Sequence, residues 1–396
     1  MYLALIVVYF HPSRTSASVQ MRDLAFELRC LGHKVLVITP DSSLKTKWQY
    51  RSWRKIKILR VKSSLIKGTK YLYRALSESL LSLKMIRGIY ACNLNYHKFE
   101  GIIWYSPTIF FGLLIWFLKI KSKCKTYLIL RDIFPEWAKD LRIINNPIIY
   151  YYFKTISFLQ YLAADTIGIQ TESNRKFLQN RFLKKKNIVV LNNWLSKKTF
   201  GNKNRNFHQQ KNNKVFIYIG NIGVAQNLLR FVDLADKIQD RLDVQFLFVG
   251  CGEKKKELIQ YVKMQKIQNI LFKDEIPSKM VSPLLSKCFL GLISLDPRHK
   301  THNIPGKFLA YISAGLPVLA HINAGTDLEK VIEKNQIGFA SSENNCNAMV
   351  HFVRSIIDDS KTYSKMSKNA EKLFKKQYTT RKAAGEILQS LSGTFS

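Results

Sequence analysis

Several short stretches of this chain carry residues whose types and spacing suit the handling of a phosphate group. Asp296-Pro-Arg-His-Lys-Thr-His-Asn-Ile-Pro-Gly-Lys307 gathers Arg298, Lys300 and Lys307 with the imidazoles of His299 and His302. Pro305-Gly306 sets Lys307 in the first turn of the helix expected to follow. A cation there opposes the helix dipole, which favours acids at an N-terminus. An anionic ligand removes that conflict, and a solvated lysine is the plain alternative. Tyr218-Ile-Gly-Asn-Ile-Gly-Val-Ala-Gln-Asn227 ends an apolar run. Gly220 and Gly223 permit close backbone approach, and a helix opening after them would aim unsatisfied amides at a phosphate or diphosphate. The other reading is a tight turn that serves packing alone. Val249-Gly-Cys-Gly-Glu253 repeats the arrangement with Gly250 and Gly252, again either lining a ligand or forming a structural turn.

Leu130-Arg-Asp-Ile-Phe-Pro-Glu-Trp137 places Arg131 and Asp132 directly after another apolar run. A charged pair in that position suits a ligand-facing site, and a local ion pair or helix N-cap accounts for it equally. Ser16, Ser18 and Arg22, at the turn into the first helix, are expected to face the same place. His299 and His302 at i, i+3 invite a metal reading. No carboxylate or thiolate adjoins them, and no Asp-x-Asp ends an apolar strand, so metal-independent chemistry is expected.

Short apolar runs alternate with helix-period segments from end to end, the pattern of parallel α/β sheets. Strands are expected at 2–9, 34–39, 57–61, 101–104, 125–130, 166–170 and 187–191, and then at 215–219, 244–249, 270–272, 291–294 and 317–320. A helix over 16–31 carries Met21, Leu24, Ala25, Leu28 and Leu31 on one stripe, with Gly32 closing it. Later helices are expected near 227–239, 254–265, 278–287 and 306–314. Residues 201–214 hold one aromatic and no aliphatic side chain, which marks a linker between residues 1–200 and 215–375. Two open α/β sheets in tandem place a ligand between them, at the carboxyl ends of the strands.

The 396 residues, 46% hydrophobic and 23% charged, suffice for two buried cores and exclude wholesale disorder. With 63 Lys and Arg against 27 Asp and Glu, the net charge of +36 exceeds what solubility requires. It points to nucleic acid, an anionic membrane or phosphorylated small molecules. Residues 1–200 hold 34 basic and 10 acidic side chains, and 45–87 alone hold 13 basic residues and one acid, Glu78. Trp48, Tyr50, Trp53, Tyr71 and Tyr73 are interleaved among them, which suits a membrane interface; a solvated lysine-rich face is the alternative. Nucleic acid is disfavoured, because no reading module is present and the basic excess is scattered through apolar segments. Six cysteines lie far apart with no CxxC pair, which argues against a disulfide framework and fits a reducing compartment. The apolar start, residues 1–10, lacks a basic n-region and a cleavage pattern and reads as a buried strand. The aliphatic stretch 109–117 is about half of the ~20 residues a spanning helix requires. It is long enough to dip into a bilayer but not to cross one.

With those residues in view, the chain resembles family-4 retaining glycosyltransferases of the GT-B fold along almost its whole length. The first strand with Phe10-His-Pro, and the segment from Leu24 to Thr39, are similar to the family's opening β-α-β unit. The turns at 218–227 and 248–253 resemble its donor-domain turns. Ile304-Pro-Gly-Lys-Phe-Leu-Ala-Tyr-Ile-Ser-Ala-Gly-Leu-Pro-Val-Leu-Ala320 is like the helix–strand element behind the nucleotide-sugar site. Arg131-Asp-Ile-Phe-Pro-Glu-Trp resembles a narrower group, the fucosamine-type transferases of bacterial O-antigen and capsule assembly.

The resemblance implies two Rossmann-like domains facing across a cleft: an acceptor-binding domain at 1–200, a nucleotide-sugar domain at 215–375, and a C-terminal helix at 376–396 packing back toward the first. It implies transfer from a UDP-sugar to a polyprenyl-diphosphate-linked saccharide at the inner face of the cytoplasmic membrane, without cofactor or metal. Ser18 and Arg22 would serve on the acceptor side. Gly220, Asn221, Gly223, Gln226, Asn227, Gly250, Gly252, Arg298, Pro305, Gly306 and Lys307 would bind the donor. His302 would bond the sugar, and Arg131 or Asp132 would replace the family's acceptor-side histidine. Where many members have a Glu-x7-Glu pair, this chain has His302 and Ala310. Asn221 and Gln226 stand where Arg and Lys are common, which leaves the diphosphate charge to Lys307, Arg298 and backbone amides. A nucleotide-sugar epimerase on the same scaffold is the rival enzyme reading.

Overall fold

The computed structural model describes residues 1–13, 15–63, 78–140, 142–179, 181–183, 185–196, 213–296, 304–343 and 345–393. The chain divides into two compact units, Met1–Asn192 with Thr380–Ser396, and Asn193–Thr379.

The first unit is built on an eight-stranded sheet of β1 (Tyr2–Ile6), β2 (Lys34–Asp41), β3 (Trp48–Trp53), β4 (Ile56–Lys62), β5 (Gly101–Ser106), β6 (Lys125–Leu130), β7 (Thr166–Ile169) and β8 (Asn187–Val190). The order is β3-β4-β2-β1-β5-β6-β7-β8. Every pairing is parallel except β3 with β4. Central strands such as β1 and β5 are buried almost throughout, because helices cover both faces of a parallel sheet. Helix α1 (Ser16–Cys30) starts where the Thr15 hydroxyl accepts from the Ser18 amide. It ends as expected, with Gly32 at φ +88°. Further helices are α2 (Leu81–Ala91), α3 (Gly112–Ser122), α4 (Glu136–Asp140) and α5 (Pro147–Ala163).

Strand β3 is absent from the sequence expectation, because its alternation, Trp48-Gln-Tyr-Arg, breaks at Ser52-Trp53 and lies in a strongly basic stretch. It is an edge strand whose Trp53 ring packs edge-on against Phe10. Much of the basic stretch at 45–87 is therefore a β-hairpin; its residues 64–77, with Lys67, Lys70, Arg74, Tyr71 and Tyr73, lie outside the described residues. The stretch at 109–117 has two sides, with Leu113 and Trp116 exposed. Ile109, Phe110, Phe111, Leu114 and Ile115 all belong to the core.

The second unit has a six-stranded, all-parallel sheet of β9 (Lys214–Ile219), β10 (Val244–Val249), β11 (Ile270–Lys273), β12 (Leu290–Ser294), β13 (Val318–His321) and β14 (Gly338–Ser341). Its helices are α6 (Leu229–Lys237), α7 (Lys255–Met264), α8 (Ser278–Leu285), α9 (Gly306–Ser313), α10 (Asp327–Lys334), α11 (Asn347–Asp358) and α12 (Ser360–Gln377). The order β11-β10-β9-β12-β13-β14 means that the chain builds outward from β9 and then returns to its other side for β12. At such a reversal the loops leaving adjacent strands diverge, and a crevice opens at their carboxyl ends. Residues 201–212 of the expected linker lie outside the described residues.

The last helix, α13 (Thr380–Ser392), belongs to the first unit. It buries Ala383, Ala384, Ile387 and Leu391 and packs against α1 and β6. Gly101 lies beneath it, where a Cβ would crowd Leu3 Cδ2 at 2.9 Å and Leu391 Cδ1 at 3.0 Å. Among the described residues no helix is long and apolar enough to cross a membrane.

Candidate functional site

The reversal point between β9 and β12 is where the glycine motifs and Lys307 meet. Beyond β9 the backbone stays extended and keeps pairing: the Gly220 amide donates to Val249 O at 2.9 Å, and the Ile222 amide to Cys251 O at 2.8 Å. Gly250 and Gly252 have φ of +154° and +153°, and a Cβ on either would overlap the carbonyl of Gly220 or Ile222. Their glycine identity is therefore demanded by backbone packing. Gly250→Ala is expected to cost roughly 3 kcal/mol of stability, read as a lowered Tm in thermal unfolding.

The α-helix expected to open after Gly223 begins later. A 3-10 turn at Val224–Gln226 and a left-handed Asn227 at φ 40° come first, and α6 starts at Leu229. The cause is Gln226, whose Oε1 accepts from the Gly223 amide at 3.2 Å and from Asn221 Nδ2 at 3.1 Å. The Gly223 amide, expected to face an anion, is thus committed within the loop, as are the side chains of Asn221 and Gln226. Two further bonds tie this loop to the end of β12. Ser294 Oγ donates to Asn227 O at 3.0 Å, and the Asp296 amide donates to Ala225 O at 2.9 Å.

Lys307 is the second residue of α9, after Pro305 at the N-cap. Its ammonium does not extend into solvent. Nζ donates to Tyr218 Oη at 2.6 Å and lies 3.8 Å from the Tyr218 ring centroid. Tyr218 Oη in turn donates to Asn221 O at 2.5 Å. Nζ is also only 3.8 Å from where a Cβ on Gly220 would stand, so Gly220 leaves the space beside the lysine open. Helix α9 is held in register by Tyr311, whose hydroxyl accepts from the Ile219 amide at 3.1 Å. The Tyr311 ring occupies space that a side chain at Gly291 would need.

Among the described residues no carboxylate lies within ion-pair distance of Lys307. Burial pushes its pKa down to about 7, against which the Tyr218 ring face and hydroxyl favour the charged form. The result is a lysine with no counter-ion among the described residues, beside the N-terminus of α9. A phosphate oxygen is the group that arrangement lacks. Tyr218 stood inside the motif without an assigned role, since a strand tyrosine reads as core and its partner is 89 residues away. A Cβ on Gly306 would meet nothing within 4 Å among the described residues. Arg298 and His302 lie outside the described residues.

In the first unit, Arg131 is not poised for substrate. Its guanidinium is buried, donating through Nη1 to Leu191 O at 2.7 Å and through Nη2 to Asn192 O at 3.2 Å, and so fastens the chain leaving β8. In this geometry Arg131, expected in catalysis, holds backbone carbonyls. Asp132 forms neither the expected N-cap, since α4 starts four residues later, nor a salt bridge with Arg131. It is half-buried, and burial raises its pKa while the Arg131 charge pulls it the other way. Tyr105, at the end of β5, is pushed up to about 12 by burial, with the Asp132 charge adding to the rise.

Ser18 and Arg22 also turn inward to backbone. Ser18 Oγ and Arg22 Nη1 both donate to Ser13 O, at 3.1 and 2.9 Å, and Ser18 is fully buried. They hold the loop before α1, and Ser18 is corrected to a structural residue. Ser106 Oγ was missed by sequence reasoning. It is buried at the end of β5 with no hydrogen-bond partner among the described residues, where the strand order reverses between β1 and β5.

Residues 201–373, which contain the Lys307 site, match the family described as Glycosyl transferases group 1. The probable glycosyltransferase WbjE of Pseudomonas aeruginosa is 20% identical over 242 residues, a match spanning 59% of this chain and 60% of that protein. Among solved structures, sucrose-phosphate synthase from Thermosynechococcus elongatus superposes with a TM-score of 0.70 over 98% of this chain and 97% of its own, at 13% identity. HepE of Anabaena, solved in complex with UDP-glucose, gives a TM-score of 0.64 over 99% and 100% of the two chains, at 15% identity. The fold is that of the GT-B class, two units each built on a sheet of mainly parallel strands.

Proposed function

We propose that the protein is a metal-independent, retaining family-4 glycosyltransferase that moves a sugar from a UDP-sugar to a polyprenyl-diphosphate-linked saccharide. The observation that carries this reading is Lys307, a cation with no carboxylate partner among the described residues, at the strand-order reversal of the unit that matches group 1 transferases. As the glycosidic bond lengthens, the leaving UDP gains charge on its β-phosphate. Lys307 and the first-turn amides of α9, which have no acceptor within their own helix, would stabilise that charge in the transition state. With the Gly223 amide committed to Gln226, α9 rather than the loop after β9 supplies the donors.

HepE in complex with UDP-glucose supports the choice of nucleotide. Asp132 would orient the acceptor hydroxyl, the departing phosphate taking its proton, and His302 would contact the donor sugar. The Arg131-to-Trp137 resemblance supports an N-acetylated amino or deoxyamino sugar such as L-FucNAc, and with it O-antigen or capsule assembly at the inner face of the cytoplasmic membrane.

The test incubates the protein with membranes bearing defined lipid-linked acceptors and a panel of UDP-sugars, with and without EDTA, and weighs the products. One sugar increment on the lipid, undiminished by EDTA, is expected. Conversion of a UDP-sugar with no acceptor present would make the protein an epimerase, and no turnover of any UDP-sugar would overturn the reading.

A further inference from the structure

Helices α2, α3 and α5 of the first unit are joined side to side. The rings of Tyr90 on α2 and Phe117 on α3 lie 5.2 Å apart, Trp116 Nε1 on α3 donates to Leu159 O on α5 at 3.4 Å, and the Tyr152 hydroxyl of α5 bonds Ser79 Oγ just before α2 at 2.6 Å. Gly112 lets α3 and α5 approach closely, since a Cβ there would stand 3.2 Å from the backbone of Gln160. Their inner sides, with Met85, Leu114 and Tyr161, enter the core.

Their outer sides are apolar as well. On α3, Leu113, Trp116 and Ile120 follow one another at i, i+3 and i+7 and are 52%, 38% and 66% exposed. Leu83 flanks them on α2 and Tyr152 on α5, both exposed. A helix apolar on its outer side as well as its inner side lacks a partner, and a contiguous apolar surface of this kind marks an interaction site.

Charge identifies the partner. The three helices contain no Asp or Glu, while Lys84, Arg87 and Lys121 lie along them; Lys154 of α5 is paired with Glu136 of α4 at 3.6 Å. A second copy of the same face would set like charges against each other, whereas an anionic lipid surface complements both the charge and the apolar stripe.

We propose that the face formed by α2, α3 and α5 seats the protein flat on an anionic bilayer, with the α3 stripe at the acyl boundary and Lys84, Arg87 and Lys121 at headgroup phosphates. This deepens the reading of a lipid-linked acceptor and rests on it for its purpose. Of the basic stretch at 45–87, it uses Lys84 and Arg87 on α2 rather than the hairpin.

The test measures co-sedimentation with phosphatidylcholine vesicles with and without phosphatidylglycerol. Wild type is expected to bind only the anionic vesicles. A variant carrying Leu113→Ser, Trp116→Ser and Ile120→Ser, all exposed positions, is expected to partition about a hundredfold less, with its Tm and its UDP binding unchanged. Neutralising Lys45, Lys47, Arg51, Arg54, Lys55 and Lys57 is expected to change partitioning less than threefold. Unaltered partitioning of the triple variant overturns the proposal. So does a wild-type dimer that the triple variant dissolves without any vesicle binding. Failure of the wild type to bind UDP would instead count against the transferase reading and leave the lipid result standing.

Discussion

Lys307→Met is expected to weaken UDP-glucose binding about a hundredfold, near 2.7 kcal/mol, while raising the Tm. The two effects share a cause. Lys307 has no carboxylate partner among the described residues, and burial pushes its pKa from the ordinary 10.5 to about 7. The unfolded chain therefore binds more protons than the fold between pH 7 and 10.5, so the lysine's contribution to stability rises with pH through that window. Below pH 7 the lysine is charged in both states, and the fold bears the whole desolvation cost. Methionine removes that cost and gives up the Tyr218 contact, for a net gain of about 1–3 kcal/mol below pH 7 that shrinks toward pH 10.5. Binding has its own pH signature. The UDP-glucose diphosphate does not titrate near neutrality, and it needs the charged lysine. Calorimetry should show proton uptake, with affinity falling by up to about tenfold per pH unit above 7. A variant that lost stability and kept its affinity would make Lys307 a packing residue.

Asp132→Asn is expected to lower sugar transfer by about 10²–10⁴ and to leave UDP-glucose affinity within twofold of wild type. The carboxylate has no hydrogen-bond donor to it among the described residues, and burial holds its pKa above the ordinary aspartate range. If its charged form orients the acceptor, the acid limb of the wild-type rate profile falls at a pH above that range, and asparagine abolishes the limb. Equal losses of transfer and affinity would mean that Asp132 only shapes the first unit. Arg131→Lys separates the neighbouring role. Lysine cannot span both Leu191 O and Asn192 O as the guanidinium does, so its first effect should be on Tm.

Sequence patterning sufficed for the buried parallel strands, because a strand covered on both faces reads as an unbroken apolar run bounded by polar turns. It failed at two edge strands: at β3, where charges surround Arg51, and at β14, whose four residues Gly-Phe-Ala-Ser are too few to read as an apolar run. The site was legible as far as chain neighbours determine it: Gly220 and Lys307 both lie at the carboxyl edge where the spacing placed them. It was illegible wherever a side chain bonds a distant backbone. Nothing local to Arg131 announces carbonyls 60 and 61 residues away, and nothing in Gln226 announces that its carboxamide closes the turn that a ligand was expected to complete.

Helix α13 gives the molecule a constraint in time. Residues 380–392 cover α1 and β6 of the first unit, yet the ribosome makes them only after the whole of the second. As the chain emerges, Asn193–Thr379 is complete and free to fold, while the earlier sheet waits with the seat of Leu391 on Gly101 empty. Folding order therefore runs against synthesis order. The apolar α3 stripe is exposed for the whole of that wait, when a nearby bilayer surface would shield it from aggregation.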